Sequence, residues 1–89
     1  MNTKDGGIAQ IKIFPYYKKR FLAVCLDFDI IEELDTLEEA RQSIEEAVTG
    51  YIETVRQVNF SDDLLNRPAS KIYWKRLDYT CFFSILWYK

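Results

Sequence analysis

The sequence contains no histidine, and this absence removes several classes of function at once. Histidine is the commonest general base, the usual partner of a serine or cysteine nucleophile, and a frequent ligand of transition metals. Hydrolases built on a nucleophile–histidine pair, and metal sites that depend on imidazole, are therefore excluded.

Cysteine and long apolar runs are also scarce. The two cysteines, Cys25 and Cys81, lie in separate apolar stretches and form no Cys-x-x-Cys pair, so we predict buried, reduced thiols. No apolar run reaches the roughly 20 residues of a membrane-spanning helix, and "MNTKDGGIAQ" lacks the continuous apolar core of a signal peptide. We expect a cytoplasmic protein that does not associate with membranes and needs no cofactor.

Length and composition predict one globular domain over residues 1–89. A chain of 89 residues builds a single modest core, and its 48% apolar and 29% charged content is ordinary for a folded domain. We expect flexibility at residues 1–7. The net charge of -2 argues against a general nucleic-acid binder, since such domains carry a clustered basic surface.

Two small clusters of basic residues bear on nucleic-acid binding, because basic side chains contact phosphates. Residues 18–20, "KKR", separate two apolar runs and are typical of the solvated turn of a hairpin. The second cluster, Lys71, Lys75 and Arg76, flanks Tyr73 and Trp74, and such rings are able to stack on bases. We expect no DNA binding by this chain alone.

The first third of the chain predicts three strands. Residues 8–14 alternate apolar and polar side chains, and Pro15 indicates an edge strand or a bulge because proline cannot donate a ladder hydrogen bond. Residues 21–26 are continuously apolar, which is typical of a strand covered on both faces. A tight turn at Asp27 and Phe28 then leads into a third strand, "DIIEE".

A long amphipathic helix follows. Thr36 and Glu39 have the spacing of a capping box, in which the threonine hydroxyl accepts from the Glu39 amide and the glutamate reaches back to the Thr36 amide. We predict a helix over Leu37–Gln57, with Gly50 on its wet face. Its apolar residues share one stripe of 3.6-residue period: Leu37, Ala40, Ile44, Ala47, Val48, Tyr51, Ile52 and Val55.

The remainder is a connection and an apolar tail. Residues 58–70 are rich in Asn, Ser, Asp and Pro, and a short helix is predicted after Pro68. Residues 79–88 alternate as a C-terminal strand with apolar side chains on both faces. We predict that Phe83, Ile85 and Trp87 face inward. The partner-binding residues that we predict face outward: Phe82, Leu86 and Tyr88.

The segment "RFLAVCLDFDIIEELDTLEEARQSIEEAVTGYIET" resembles the HicB-like antitoxin family. The family pattern runs from a strand with an Ala-x-Cys/Pro-x-Leu-like motif, through a turn and a short strand, into Gly-Asp-Thr-Leu-Glu-Glu-Ala and a helix. Residues 35–40, "DTLEEA", carry its sharpest part, while Leu34 stands where the pattern has glycine.

The resemblance implies a partial ribonuclease-H-like fold of β-β-β-α-β order that binds a small HicA-type RNA-cleaving toxin. The toxin of such a pair uses a histidine, so this chain would be the antitoxin. Relatives often add a DNA-binding domain for their operator, and the residues after the main helix are too few for one. The expectation is an α+β domain, a small antiparallel sheet under one long helix, that is not an enzyme and forms homo-oligomers.

Two alternatives remain open. In the first, the acids of residues 27–35 gather a divalent ion, as in a metal-dependent ribonuclease-H-like nuclease: Asp27, Asp29, Glu32, Glu33 and Asp35. The first strand, however, carries no acid, whereas an active site of that fold takes one from it. In the second, the domain is a stand-alone interaction module with another partner.

Overall fold

The computed structural model describes residues 1–88 and shows an α+β fold with a four-stranded antiparallel sheet and one long helix. The sheet contains β1 (Gly6–Tyr16), β2 (Arg20–Cys25), β3 (Ile30–Leu34) and β4 (Cys81–Tyr88). The long helix is α1 (Leu37–Gln57), and a short helix, α2 (Lys71–Lys75), precedes β4. The predicted β-β-β-α-β order is confirmed, and α2 is the short helix predicted after Pro68.

The strand order is β3-β2-β1-β4, which places β1 in the interior of the sheet. The prediction that β1 is an edge strand was therefore wrong. Pro15 is tolerated because β4 pairs with β1 only as far as Ile13, opposite Cys81, while Pro15 lies further along opposite Phe21 of β2. The Pro15 ring thus lies where no strand pairs with β1 on the β4 side, so no ladder hydrogen bond is lost there.

Helix α1 has the predicted bounds and the predicted buried face. Thr36 is its N-cap and accepts a hydrogen bond from the Glu39 amide, with 3.1 Å between nitrogen and hydroxyl oxygen. The Glu39 carboxylate was expected to accept a hydrogen bond from the Thr36 amide. It accepts one from the Thr36 hydroxyl instead, at 2.9 Å. Gly50 is exposed, with open space where a Cβ would lie. No helix within residues 1–88 is long and apolar enough to cross a bilayer.

The sheet buries side chains on both faces. Its inner face packs against α1, which contributes five buried residues at helical spacing: Ala40, Ile44, Val48, Ile52 and Val55. On the outer face, Phe14, Leu22, Val24 and Leu26 pack with Ala69 and with the rings of residues 73–79. Strand β2 is thus covered on both sides, as its continuous apolar run predicts. The chain after residue 66 supplies that second cover.

The first residues are anchored to the rest of the domain. Asn2 is buried, and its side chain donates to the carbonyl oxygens of Ile8 and Leu65 and accepts from the Ile8 amide. Asn66 donates to the Asn2 carbonyl oxygen at 2.7 Å. Strand β1 begins at Gly6, two residues before the predicted start at Ile8. The expected flexible segment 1–7 is thus held by contacts with residues far along the chain.

The turns explain two local sequence features. Lys18 and Lys19 have φ of 58° and 62° in the exposed β1–β2 turn, as predicted for the first basic cluster, whereas Arg20 already belongs to β2 and is half-buried. Leu34 ends β3 and is absent from the positive-φ residues of the described chain. The strand-to-helix connection therefore has no need of the glycine that the family pattern places there.

Candidate protein-binding face

Strand β4 separates its side chains between the two faces of the sheet as predicted. Phe83 and Ile85 pack against the core under α1, and Trp87 is buried, with its indole nitrogen donating to the Thr3 carbonyl oxygen at 2.8 Å. Phe82, Leu86 and Tyr88 are exposed on the outer face. The tail pairs with β1 of its own chain, which buries Trp87 and leaves Cys81, Phe83 and Ile85 partly buried.

The outward residues of β4 form an apolar surface together with β1. Ile8 lies directly opposite Leu86 in the β1–β4 register, and Tyr88 lies opposite Gly6. Exposed fractions rise along the strand, from 46% at Phe82 to 66% at Leu86 and 81% at Tyr88, while Ile8 is 39% exposed. We call these four side chains the outer patch. Only Gln10 and Ser84, which are opposite one another, interrupt it with polar groups.

One end of the outer patch is fixed by an unusual lysine. Lys12 is only 4% exposed, and its ammonium donates to the carbonyl oxygens of Tyr73, Trp74 and Arg76 at 2.7 to 3.2 Å. The same nitrogen lies 5.3 Å from the centre of the Tyr79 ring and 5.9 Å from that of Phe82. Lys12 therefore joins β1 to the end of α2 and holds the rings that border the patch.

The backbone of β4 is open on the side away from β1. Gln10 directs its carbonyl and its amide toward β2, since the carbonyl accepts from Leu26 and the amide donates to Asp27. Alternate residues of a strand bond to opposite neighbours, so Ala9, Ile11 and Ile13 face β4. Their partners Ile85, Phe83 and Cys81 complete those bonds. The outward-facing residues therefore direct their amides and carbonyls to the free edge of the sheet: Phe82, Ser84, Leu86 and Tyr88.

The acids considered as metal ligands are engaged separately. The Asp27 carboxylate accepts from the Gln10 amide at 2.6 Å, and burial raises its pKa. Glu32 accepts from the Ser43 hydroxyl at 2.8 Å. Glu33 and Asp35 are both ion-paired with Arg20 on an exposed surface. Within residues 1–88, no group of three or more acids, cysteines or histidines is gathered as metal ligands would be.

Asp29 lies apart from those acids. It has a φ of 57° in the turn before β3 and lines a surface cleft with Phe28, Tyr51 and Arg67. Tyr51 donates its hydroxyl proton to the Leu64 carbonyl oxygen at 2.6 Å, so that hydroxyl holds the connecting segment in place. The turn thus brings Asp29 toward the connection, away from the strand carboxylates.

Of the second basic cluster, Arg76 is built into the cover of the outer face, whereas Lys71 and Lys75 are exposed. Tyr73 and Trp74 are partly buried there, and the Tyr73 ring centre lies 6.1 Å from that of Phe14. The Arg76 guanidinium lies 4.2 Å from the Phe14 ring centre and is ion-paired with Asp78, which lowers the pKa of the Asp78 carboxyl. These rings and this arginine pack within the domain, which leaves them poorly placed to stack on nucleic-acid bases.

The two thiols differ in environment. Cys25 is buried, and desolvation raises its pKa to about 11, which keeps it protonated and unreactive. Cys81 is only partly buried, and the Arg41 guanidinium lies 3.6 Å from its sulfur. The prediction of a buried thiol is confirmed for Cys25 and only partly met at Cys81, because no strand covers β4 on its outer edge.

Sequence reasoning found three members of the outer patch and missed Ile8. Ile8 was assigned to the start of β1, but its exposure depends on its pairing with Leu86, which is 78 positions away (86 − 8). The role of Lys12 was missed for the same reason, since its acceptors are 61 to 64 residues distant. Comparison of the chain with protein-family models, curated proteins and solved structures gives no match.

Proposed function

We propose that the protein is an antitoxin-like binding protein that neutralises a small HicA-type RNA-cleaving toxin by direct contact through the outer patch. The observation that carries the proposal is a row of large apolar side chains left exposed on the outer face of the sheet, while the inner face packs against α1. The resemblance of residues 35–40 to the HicB-like pattern supplies the type of partner.

The outer patch has the composition of a binding site. Aromatic side chains dominate the energetics of many protein interfaces, and Tyr88 and Phe82 place such rings at its two ends. The Phe82 ring is held in an edge-on contact with Tyr79, with centres 5.4 Å apart, so little conformational entropy is lost when a partner covers it. The pre-ordered Phe82 ring at one end of the patch and the exposed Leu86 side chain further along it offer a partner apolar contacts.

Charge on the opposite side of the domain supports a basic partner. The solvent face of α1 carries exposed glutamates, among them Glu38, Glu45, Glu46 and Glu53. A toxin that binds RNA needs a basic surface, and an acidic domain attracts it from a distance. These glutamates would raise the association rate more than the final affinity, and the effect would fall with added salt.

The test is co-expression with a small basic, histidine-containing HicA-type toxin, sought first among the reading frames that neighbour this one, followed by co-purification. We expect the Leu86→Ser, Tyr88→Ser double variant to weaken binding by at least about 100-fold and to lose protection from the toxin. The matched control is Ile72→Ser, Leu77→Ser, which removes side chains of 62% and 82% exposure outside the patch and should bind like the parent.

Two results would contradict the proposal. Binding that survives in the patch variant while circular dichroism matches the parent would move the interface elsewhere. Co-purification of the parent with a partner that is not an RNA-cleaving protein would favour the alternative of an interaction module of another kind.

A further inference from the structure

We infer that two copies of this chain pair through the free edge of β4, so that two four-stranded sheets become one continuous antiparallel sheet. The inference goes beyond the proposed function, since it concerns the strand edge and needs no toxin. The occupant of that edge is a second copy of the same strand, and three observations on β4 support it.

The first observation is that β4 lacks the features that keep edge strands apart. Exposed edges are normally protected by charges, proline, bulges or short length. Strand β4 runs for 8 residues as "CFFSILWY", with no charged residue, proline or glycine. The amides and carbonyls of Phe82, Ser84, Leu86 and Tyr88 face this edge, and they present a regular row of donors and acceptors.

The second observation is that β4 is complementary to itself, whereas the other edge is not. In an antiparallel pair of identical strands related by a two-fold axis, the residue at the axis meets its own copy, and residues at equal distances on either side of the axis meet one another. At β3, with its 5 residues "IIEEL", this pairing would bring carboxylates together, because Glu32 and Glu33 lie in its centre. At β4, the same operation brings only neutral side chains together.

The third observation is incomplete burial on the inner face. Cys81, Phe83 and Ile85 point toward α1 and pack against the core, yet each remains only partly buried. They are three of the four inward residues of the strand that has no neighbour beyond it, and the fourth, Trp87, is buried. A second strand beside β4 would cover them and bury apolar area that the single chain leaves in water.

Among the registers that keep the edge-facing groups of β4 in phase, the most interchain hydrogen bonds form with the axis at Ile85. A two-fold axis at Ile85 places Phe82 opposite Tyr88 of the second copy and Ser84 opposite its Leu86, both as hydrogen-bonded pairs. The two-fold axis repeats each of these two pairs, so four pairs form. With two hydrogen bonds in each pair, about eight interchain hydrogen bonds result. The outer face gains aromatic cross-strand pairs, and the outer patches of the two copies become one surface across the axis.

Residue-resolved amide hydrogen exchange on the full-length protein tests this pairing directly. In the dimer, the amides of Ser84 and Leu86 should be protected together with those of Phe83 and Ile85, and only the first pair should lose protection on dilution. Rapid exchange at Ser84 and Leu86 at high concentration, with Phe83 and Ile85 protected, would overturn the inference.

A matched pair of variants gives a second test. Ser84→Pro removes an amide that faces the free edge and keeps the β1–β4 bonds, whereas Ser84→Ala keeps the amide. We expect Ser84→Ala to sediment at twice the mass of the chain and Ser84→Pro to dissociate with at least about 100-fold weaker association. Equal masses for the parent and folded Ser84→Pro would refute the pairing, as would a monomeric parent at high micromolar concentration.

Discussion

Replacement of Lys12 by methionine should destabilise the domain, although lysine is rarely buried in a core. Methionine preserves most of the aliphatic volume and removes the ammonium, so the carbonyl oxygens of Tyr73, Trp74 and Arg76 lose their donor. A buried polar group without a partner costs about 1–3 kcal/mol. These carbonyls lie near the surface at the end of α2, where water replaces part of the loss.

We therefore expect Lys12→Met to lower the free energy of unfolding by about 2–4 kcal/mol, at the lower end of the cost for three orphaned acceptors. For a domain of this size, about 3 kcal/mol corresponds to a fall of roughly 12–24 °C in the melting temperature. Urea denaturation followed by circular dichroism measures the change. The Lys18→Met variant, which alters an exposed lysine in the hairpin turn, should match the parent.

Hydrogen exchange would locate the Lys12→Met effect. Amides of residues 71–79 should lose protection before those of α1, because Lys12 joins that segment to the sheet. A Lys12→Met protein as stable as the parent would show that the ammonium only offsets its own desolvation, and would refute the role assigned to Lys12.

Four further outcomes are expected. Ile44→Ala should destabilise the domain by about 2–5 kcal/mol in thermal unfolding, because it leaves a cavity under α1, while Glu46→Ala on the exposed face should be neutral. Burial holds the folded-state pKa of Asp27 above the ordinary value of an aspartate, so the stability contributed by its protonated carboxyl should be lost as pH rises through the folded-state pKa, and Asp27→Asn should remove this slope. Gly7→Ala should lower the melting temperature, since an added Cβ would lie 2.4 Å from the Trp87 ring. Purified protein should cleave neither RNA nor DNA with magnesium or manganese, and cleavage that disappears in Asp27→Asn, Asp29→Asn would instead favour the nuclease alternative.

Signals within one short segment of the sequence were sufficient to predict helix α1. The Thr36 cap and the spacing from Ala40 to Val55 lie within one continuous segment, so their chemistry fixes both the start of α1 and its buried face. The alternation of β4 likewise fixed which side chains share a face. That pattern predicted the division between Phe83 and Phe82 without knowledge of the neighbouring strand.

Features that depend on pairing between distant segments were not readable from the sequence. Nothing near Lys12 indicates that the end of α2 will lie over it, and a lysine in an alternating strand is normally solvated. The interior position of β1 was missed because Pro15 is a local edge signal, whereas the length of β4 decides which part of β1 is covered. The anchoring of Asn2 by Asn66 has the same origin.

The interior position of β1 has a consequence for how the chain folds during synthesis. One neighbour of β1 is the adjacent hairpin strand, but the other is residues 81–88, and the Trp87–Thr3 hydrogen bond spans 84 positions. Such long-range closure is slow compared with hairpin and helix formation. A nascent chain that has released α1 but not β4 exposes one side of β1 and the part of the inner core that Phe83, Ile85 and Trp87 cover. Folding intermediates of this protein should therefore be prone to aggregation until β4 pairs with β1. Chaperones that recognise apolar strand edges should bind the chain before that pairing forms.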